Sequence, residues 1–293
     1  MAREAEPAVK RLRRFNRVVT LELGALDLSF LGRGRPLLEA RVLHAVGSGV
    51  SDVGDLRERL NLDSGLMSRL LRKLEAEELI VLSPDPKDGR RKRILRTRKG
   101  EREFDAYEAL SDQAAQTVLN RVKDKEEFLK AVDLVASVIG RERIEIVEVD
   151  PDDARAIACV NAYVAELSRR FGEDFDRARS GEPEADAMRP PRGTFLLALS
   201  EGLAMGCVAV KDMGERAEIK RLWVDPSARG MRLAHRLMRE AETRAYDLGH
   251  RELVLDTSAR LPEARAFYLK TGWGEIARYN DNPYADHFFG KEL

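Results

Sequence analysis

The chain has 293 residues, of which 43% are apolar and 35% charged, with a formal net charge of zero. That is the composition of a globular protein rich in charged helices and long enough for two domains, and no run approaches the roughly 18 apolar residues of a membrane span. The charge is uneven: residues 1–141 carry 28 basic and 23 acidic side chains, leaving 51 − 28 = 23 basic and 51 − 23 = 28 acidic for the rest, so nucleic-acid binding is expected in the first half alone.

Met1 to Arg14 is charged and has no stretch like a signal peptide. Cys159 and Cys207 lie in apolar surroundings at a spacing that suits neither a disulfide framework nor a metal site, as expected for reduced, buried thiols of a cytoplasmic protein. His44, His235, His250 and His287 share no ligand spacing, so no metal is expected.

In chain order, residues 8–31 show helical periodicity through Leu12, Phe15, Val18, Val19 and Leu23. Gly32 to Pro36 breaks it, and a second helix runs from Leu37 to Val46. Asp52 is placed to cap a short helix holding Val53, Leu56 and Leu60. Asn61-Leu62 turns, and Asp63 or Ser64 caps a helix to about Glu78. Leu79–Ser83 and Lys92–Thr97 are strands about the turn Asp85–Gly89. Two charged amphipathic helices fill 101–139, and the domain boundary is expected near Gly140. In the second half, strands are expected at 144–149, 194–199, 206–211 and 218–224, followed by a helix at 231–248, a strand at 252–256 and a helix at 261–271. A helix at 152–171 and a polar loop at 172–193 come before the three central strands. This order gives a mixed α/β sheet.

In the helix after Asp63, Met67, Leu70, Leu71 and Leu74 form the core face. Ser64, Ser68, Arg69 and Arg72 point the other way, with the side-chain types that reach base edges in a major groove. Residues 87–102 add nine basic side chains against two acidic ones, suited to a wing that follows phosphates. The stretch Leu62 to Glu75, continued through Ser83-Pro84-Asp85-Pro86-Lys87-Asp88-Gly89-Arg90-Arg91, resembles the MarR family of winged-helix regulators. The family's wing motif Asp-x-Arg falls on Asp88 and Arg90, with Arg91 and Lys92 following. Arg96-Thr97-Arg98-Lys99-Gly100 is similar to its Leu-Thr-x-x-Gly ending, with Arg96 in place of Leu. The resemblance covers about 8–140. It implies a mainly α winged helix-turn-helix domain over 1–140, a homodimer built from the region's first and last helices, and binding to pseudo-palindromic double-stranded DNA.

Leu222-Trp223-Val224 is a strand leading into Arg229-Gly230-Met231-Arg232-Leu233-Ala234-His235 and an amphipathic helix. A turn of this kind, with backbone amides at a helix N-terminus and arginines beside them, suits a diphosphate, and an open strand edge suits the amides of a pantetheine chain. The segment resembles the GNAT superfamily of N-acetyltransferases, whose turn reads Arg/Gln-x-x-Gly-x-Gly/Ala. Here the positions are Arg229, Arg232 and Ala234, so Arg232 replaces the central glycine. Pro262 to Trp273, with Phe267-Tyr268 and Gly272, matches the family's later segment, and Asn282 to Phe289 its closing strand. This resemblance covers about 143–293 and implies a mixed α/β GNAT-like acyltransferase domain over 141–293. It implies acetyl-CoA as the acyl donor and a small amine or amino acid as acceptor, with Tyr268 as the acid that protonates the departing thiolate. Glu218 is placed to take the amine proton, and the Val224 N–H to stabilise the oxyanion. Acceptor contacts are expected from 161–176, with Tyr163, Arg170 and Phe171, and from the loop 172–193. The rival expectation is a one-component regulator whose second domain only senses acyl-CoA or an amine.

Overall fold

A computed structural model describes residues 2–85, 88, 91–172 and 185–293. They form two compact units, Met1–Lys125 and Glu126–Leu293.

The first unit opens with helix α1, Ala2–Glu22. It stops well short of the helix expected to Leu31, because Gly24 takes a left-handed φ of 59°. The Gly24 N–H then reaches Leu21 O and the Ala25 N–H reaches Thr20 O, which closes the end. Helix α2, Leu37–Gly47, and helix α3, Val53–Leu60, follow. The Asp52 carboxylate caps α3 by accepting from the Gly54 and Asp55 amides. Asn61, at φ 50°, turns the chain into helix α4, Ser64–Ala76, which Asp63 caps through the Leu66 amide at 2.8 Å. Strands β1, Ile80–Pro84, and β2, Lys92–Arg96, pair antiparallel with Ile80 opposite Arg96. Helix α5, Arg98–Asn120, completes the unit. Val42, Leu43, Leu56, Met67, Leu74 and Ile94 pack one buried core under α4.

Helix α6, Lys125–Gly140, spans the junction. The sequence expectation closed the first domain at 140, but this helix groups with the second unit. Ser137 is buried there, its Oγ 3.3 Å from Ser227 Oγ.

Strand β3, Glu145–Val149, and helix α7, Ala154–Phe171, begin the sheet domain. Strands β4, Thr194–Ser200, β5, Leu203–Asp212, and β6, Ala217–Val224, form an antiparallel meander. Then come helix α8, Leu233–Asp247, strand β7, Glu252–Thr257, helix α9, Pro262–Lys270, and strands β8, Gly274–Glu275, and β9, His287–Glu292. The sheet order is β3-β4-β5-β6-β7-β9-β8, and β6–β7 is its parallel pair. Alternation along β4 sends Leu196 and Ala198 to a core with α8 and α9, and Phe195, Leu197 and Leu199 to a core with α7. The domain is therefore a helix–sheet–helix sandwich, a mixed α/β fold as expected. Cys159 and Cys207 are buried free thiols in the α7 layer. Among the described residues no helix is long and apolar enough to cross a membrane, and no group of His, Cys, Asp and Glu is arranged to hold a metal ion.

The Thr-x-x-Gly ending of the wing has a physical cause. Thr97 Oγ1 donates to Glu78 O at 2.6 Å and accepts from the Gly100 amide at 3.0 Å, so it caps α5 and ties it to the turn that leads into β1. A Cβ on Gly100 would stand 1.9 Å from the Leu79 carbonyl oxygen, a backbone atom with little room to move. Gly100→Ala is expected to destabilise the first unit by about 1–3 kcal/mol, read as a lower urea midpoint for its unfolding.

Candidate functional site

β6 holds the geometry of the second unit's site. Its pairing with β7 extends only over Ala217↔Leu253 and Glu218↔Val254. From Ile219 onward the two strands part, and among the described residues that edge of β6 has no strand partner. The β5–β6 register also shifts between Cys207 and Ala209, and Arg221 takes a left-handed φ of 56°. Such a bulge adds twist and re-aims the strand. Cys207 Sγ donates to the Arg221 carbonyl at 3.2 Å inside it.

The strand runs into a compact turn. Asp225 Oδ1 accepts from the Ser227 amide and hydroxyl at 2.8 and 2.6 Å, fixing the 3-10 turn Pro226–Ala228. Gly230 follows at φ 79° and Arg232 at φ 61°, in the left-handed region, where it precedes α8 without a side-chain cap. The helix starts at Leu233 rather than at Met231 as expected, because these two residues cannot be helical. Backbone bonding into the helix begins with Arg236 N to Arg232 O. The amides of Leu233, Ala234 and His235 therefore head α8 without partners inside it, at the positive end of its dipole. The left-handed position that the family fills with glycine is held by Arg232, at a cost of roughly 1–2 kcal/mol. Its side chain is exposed, and so is that of His235, whose ring meets Phe267 edge-on.

A cavity of about 230 Å³ opens beside β6. Leu222, Trp223, Val224, Arg229, Ala234 and Tyr268, all expected at the site, line it; Glu218, Gly230, Met231, Arg232, Leu233 and His235 do not. Tyr268 on α9 is 7% exposed and meets Phe267 and Trp273 edge-on and Phe289 at a tilt. Burial pushes its phenol well above the ordinary tyrosine value, with Tyr163 and Asp256 adding to the rise. It is therefore a protonated donor at neutral pH.

The α7 wall falls within 161–176, where acceptor contacts are expected at Tyr163, Arg170 and Phe171, but the sequence does not single out Glu166. Tyr163 faces the same cavity, its phenol pushed up to about 12, chiefly by burial. Glu166 accepts from Trp223 Nε1 at 2.8 Å, from Arg229 and from Arg170, and Arg170 also pairs with Glu263 on α9. Burial would raise the Glu166 carboxyl, but Arg229 and Trp223 outweigh it and hold it below the usual range. Arg229 thus spends its guanidinium on Glu166 and, through Nε, on Val224 O at 3.0 Å. The i, i+4 pairing of Glu166 with Arg170 was the one trace of this hub in the sequence. The loop expected to contact an acceptor, 172–193, is described only at 172 and from 185, and Arg170 and Phe171 end α7 beside it.

Glu218 is buried at the point where β6 and β7 part. Its Oε1 accepts from Tyr279 Oη at 2.7 Å and Asn280 Nδ2 at 3.3 Å and pairs with Lys220 Nζ at 2.8 Å. Lys220 also pairs with Asp256 Oδ2 at 3.2 Å. Burial would lower the Lys220 ammonium, but Asp256 and Glu218 outweigh it and raise it.

In the first unit, Ser64, Ser68, Arg69 and Arg72 are exposed along α4, while Met67, Leu70, Leu71 and Leu74 are buried beneath them. The β1–β2 hairpin stands beside this helix. Lys92 is exposed, Arg91 lies 3.9 Å from Asp52, and the Asp88 amide donates to Asp85 Oδ1 at 3.2 Å. Arg90 lies outside the described residues.

Comparison with known proteins agrees with both halves. Residues 160–273 match the acetyltransferase (GNAT) family and residues 33–91 match the MarR family. An uncharacterized N-acetyltransferase of Schizosaccharomyces pombe is 36% identical over 126 residues, which span 41% of this chain and 77% of that protein. The IAA acetyltransferase of Azospirillum brasilense is 29% identical over 125 residues, 41% of this chain and 82% of that protein. Among solved structures, an acetyltransferase from Streptococcus agalactiae aligns at 20% identity with a TM-score of 0.46, over 51% of this chain and 98% of its own.

The strained position before α8 gives a direct check. Arg232→Gly is expected to raise the stability of the second unit by about 1 kcal/mol, seen as a higher midpoint in urea unfolding.

Proposed function

We propose that this chain, which belongs to the acetyltransferase (GNAT) family and carries a MarR-family winged-helix domain ahead of its acetyltransferase domain, transfers an acetyl group from acetyl-CoA to a small amine or amino acid and also binds duplex DNA as a homodimer. The observation that carries the enzymatic reading is the cavity whose lining joins the Tyr268 phenol to the open edge of β6 and to the turn before α8. The amides of Leu233, Ala234 and His235, with Gly230 allowing close approach, suit the CoA diphosphate. The unpaired edge through Leu222 and Val224 suits the pantetheine amides, and the thioester then lies beneath Tyr268.

The nitrogen lone pair of a neutral amine attacks the thioester carbonyl carbon. The Val224 N–H stabilises the oxyanion, the C–S bond breaks and Tyr268 donates its proton to the thiolate, while the nitrogen's surplus proton passes through water to Glu218 and from there returns to the Tyr268 phenolate. The α7 wall, with Tyr163 and Glu166, faces the acceptor. Steady-state release of free CoA across a panel of amines tests the reaction; binding of acetyl-CoA without turnover on any amine supports the sensor reading instead. Tyr268→Phe is expected to lower kcat by about 10²-fold with KM little changed, because the acid acts only in the transition state.

For the first domain, α4 suits the major groove and the hairpin the phosphates beside it. Leu12, Phe15 and Val18 leave exposed apolar surface on one side of α1, and Leu129, Val132 and Ile139 on one side of α6, the helix that groups with the second unit, which supports pairing with a second copy. Arg69→Ala or Arg72→Ala is expected to relax sequence preference by about 1–3 kcal/mol. Affinity for any duplex is expected to fall with salt at a log-log slope of about −0.9 per phosphate contact. Fluorescence anisotropy over a salt series measures both; a flat salt dependence contradicts the DNA assignment.

A further inference from the structure

The cavity lies where β6 and β7 part, so it is walled from both faces of the sheet. Tyr163 and Trp223 face it from the α7 layer, and Phe267 and Tyr268 from the α9 layer. Each polar side chain of its lining can be followed to its partners. Both oxygens of Glu166 are taken, Oε1 by Arg170 and Oε2 by Trp223 Nε1 at 2.8 Å and by Arg229. Arg170 also pairs with Glu263, the second carboxylate of the lining. Glu166, Glu263, Arg170 and Arg229 therefore close on one another with no net charge. Glu218, Lys220 and Asp256 form a separate network outside the lining. The phenols remain. Neither Tyr163 Oη nor Tyr268 Oη has a hydrogen-bond partner among the described residues. Burial keeps both protonated at neutral pH.

An acceptor entering this space meets aromatic surface and two neutral hydroxyls. An alkylammonium needs a carboxylate there, and an amino acid needs a guanidinium as well. Either has to break a pair that the fold already makes, because an unpaired charge is costly to bury. We propose that the acceptor is an aryl amine whose nitrogen is held by Tyr163 Oη. This rests on the acetyltransferase reading and narrows its acceptor. The lone pair of an amine bonded to an aromatic ring is delocalised into that ring, so the nitrogen is uncharged at neutral pH and loses no proton before it attacks. The ring of the acceptor suits the aromatic walls. Tyr163 Oη accepts one N–H and so directs the nitrogen at the thioester carbon. The N–C bond forms, the C–S bond breaks, and Tyr268 gives its proton to the sulfur. The nitrogen's surplus proton returns to the Tyr268 phenolate by way of Glu218, so protons balance over the cycle.

The test is release of CoA from acetyl-CoA with toluidine, benzylamine and the amino acid phenylalanine at neutral pH. Toluidine and benzylamine are isomers, so they differ in the charge on nitrogen and not in size. The wild type is expected to show a kcat/KM for toluidine at least about tenfold above that for either of the others. A smaller ratio with turnover overturns this inference and leaves the acetyltransferase reading standing. Binding of acetyl-CoA with no turnover on any amine overturns both. Tyr163→Phe removes a hydroxyl that makes no bond in the fold, so its thermal unfolding is expected to match the wild type. It is expected to raise KM for toluidine about three- to tenfold, with kcat and the KM for acetyl-CoA little changed, because the contact is made before and during the reaction alike. Tyr163→Met, a second variant without the hydroxyl, is expected to show the same rise. An unchanged KM for toluidine in a folded variant overturns the role of Tyr163.

Discussion

Two residue pairs of parallel pairing hold β6 to β7, and the remainder of the site follows from where that pairing stops. A parallel pair that continued would satisfy the edge of β6 with hydrogen bonds and leave no room for a chain of amides. Because the strands separate after Glu218, the backbone beyond it needs another partner. The bulge at Arg221 reinforces the separation by twisting β6 away. The sheet stays intact because β6 pairs with β5 on both sides of the bulge, and β7 pairs with β9. The opening is therefore confined to one line between two strands, with α8 and α9 packed on the same face of the sheet.

Each component of the site is a consequence of that opening. The turn from Asp225 to Arg232 lies at the end of the parted strand, so a diphosphate held by the head of α8 places its attached chain along the β6 edge. Tyr268 reaches the line from α9, and the α7 wall closes it from the opposite face of the sheet. Burial keeps the phenol protonated, while Asp256 and Glu218 outweigh burial and keep Lys220 charged between them. The low-polarity surroundings that cost stability when a charge is unpaired make each paired charge effective here.

Much of this was legible in the sequence because local rules governed it. The caps at Asp52, Asp63 and Thr97 are short-range contacts that the residue types announce. The core and exposed faces of α4 follow from helical periodicity alone, and the Arg/Gly turn before α8 picked out a segment of which Arg229 and Ala234 line the cavity. What stayed hidden depends on distant chain segments meeting. Glu166, Lys220, Asp256 and Tyr279 lie in four elements, and nothing in their spacing shows that Trp223 and Arg229 converge on the first, or that the other three share one buried cluster with Glu218. The helix ends at Glu22 and Leu233 were also misjudged. At both places a left-handed residue outside the helix, Gly24 or Arg232, overrides the apolar pattern that appears to continue through it. At Arg232 the warning lay in the resembled turn pattern, which has glycine there, and not in arginine itself, which rarely occupies that conformation.

The central claim is that main-chain amides at the head of α8 grip a diphosphate whose chain lies along the open edge of β6. Amide chemical shifts during titration with CoA, and separately with pantetheine, test it most directly. The account predicts that CoA moves the amides of Gly230 and Leu233 to His235 most, with Leu222 and Val224 following, and that pantetheine moves the strand residues while leaving the turn in place. Saturable CoA binding that leaves the turn amides unshifted contradicts it.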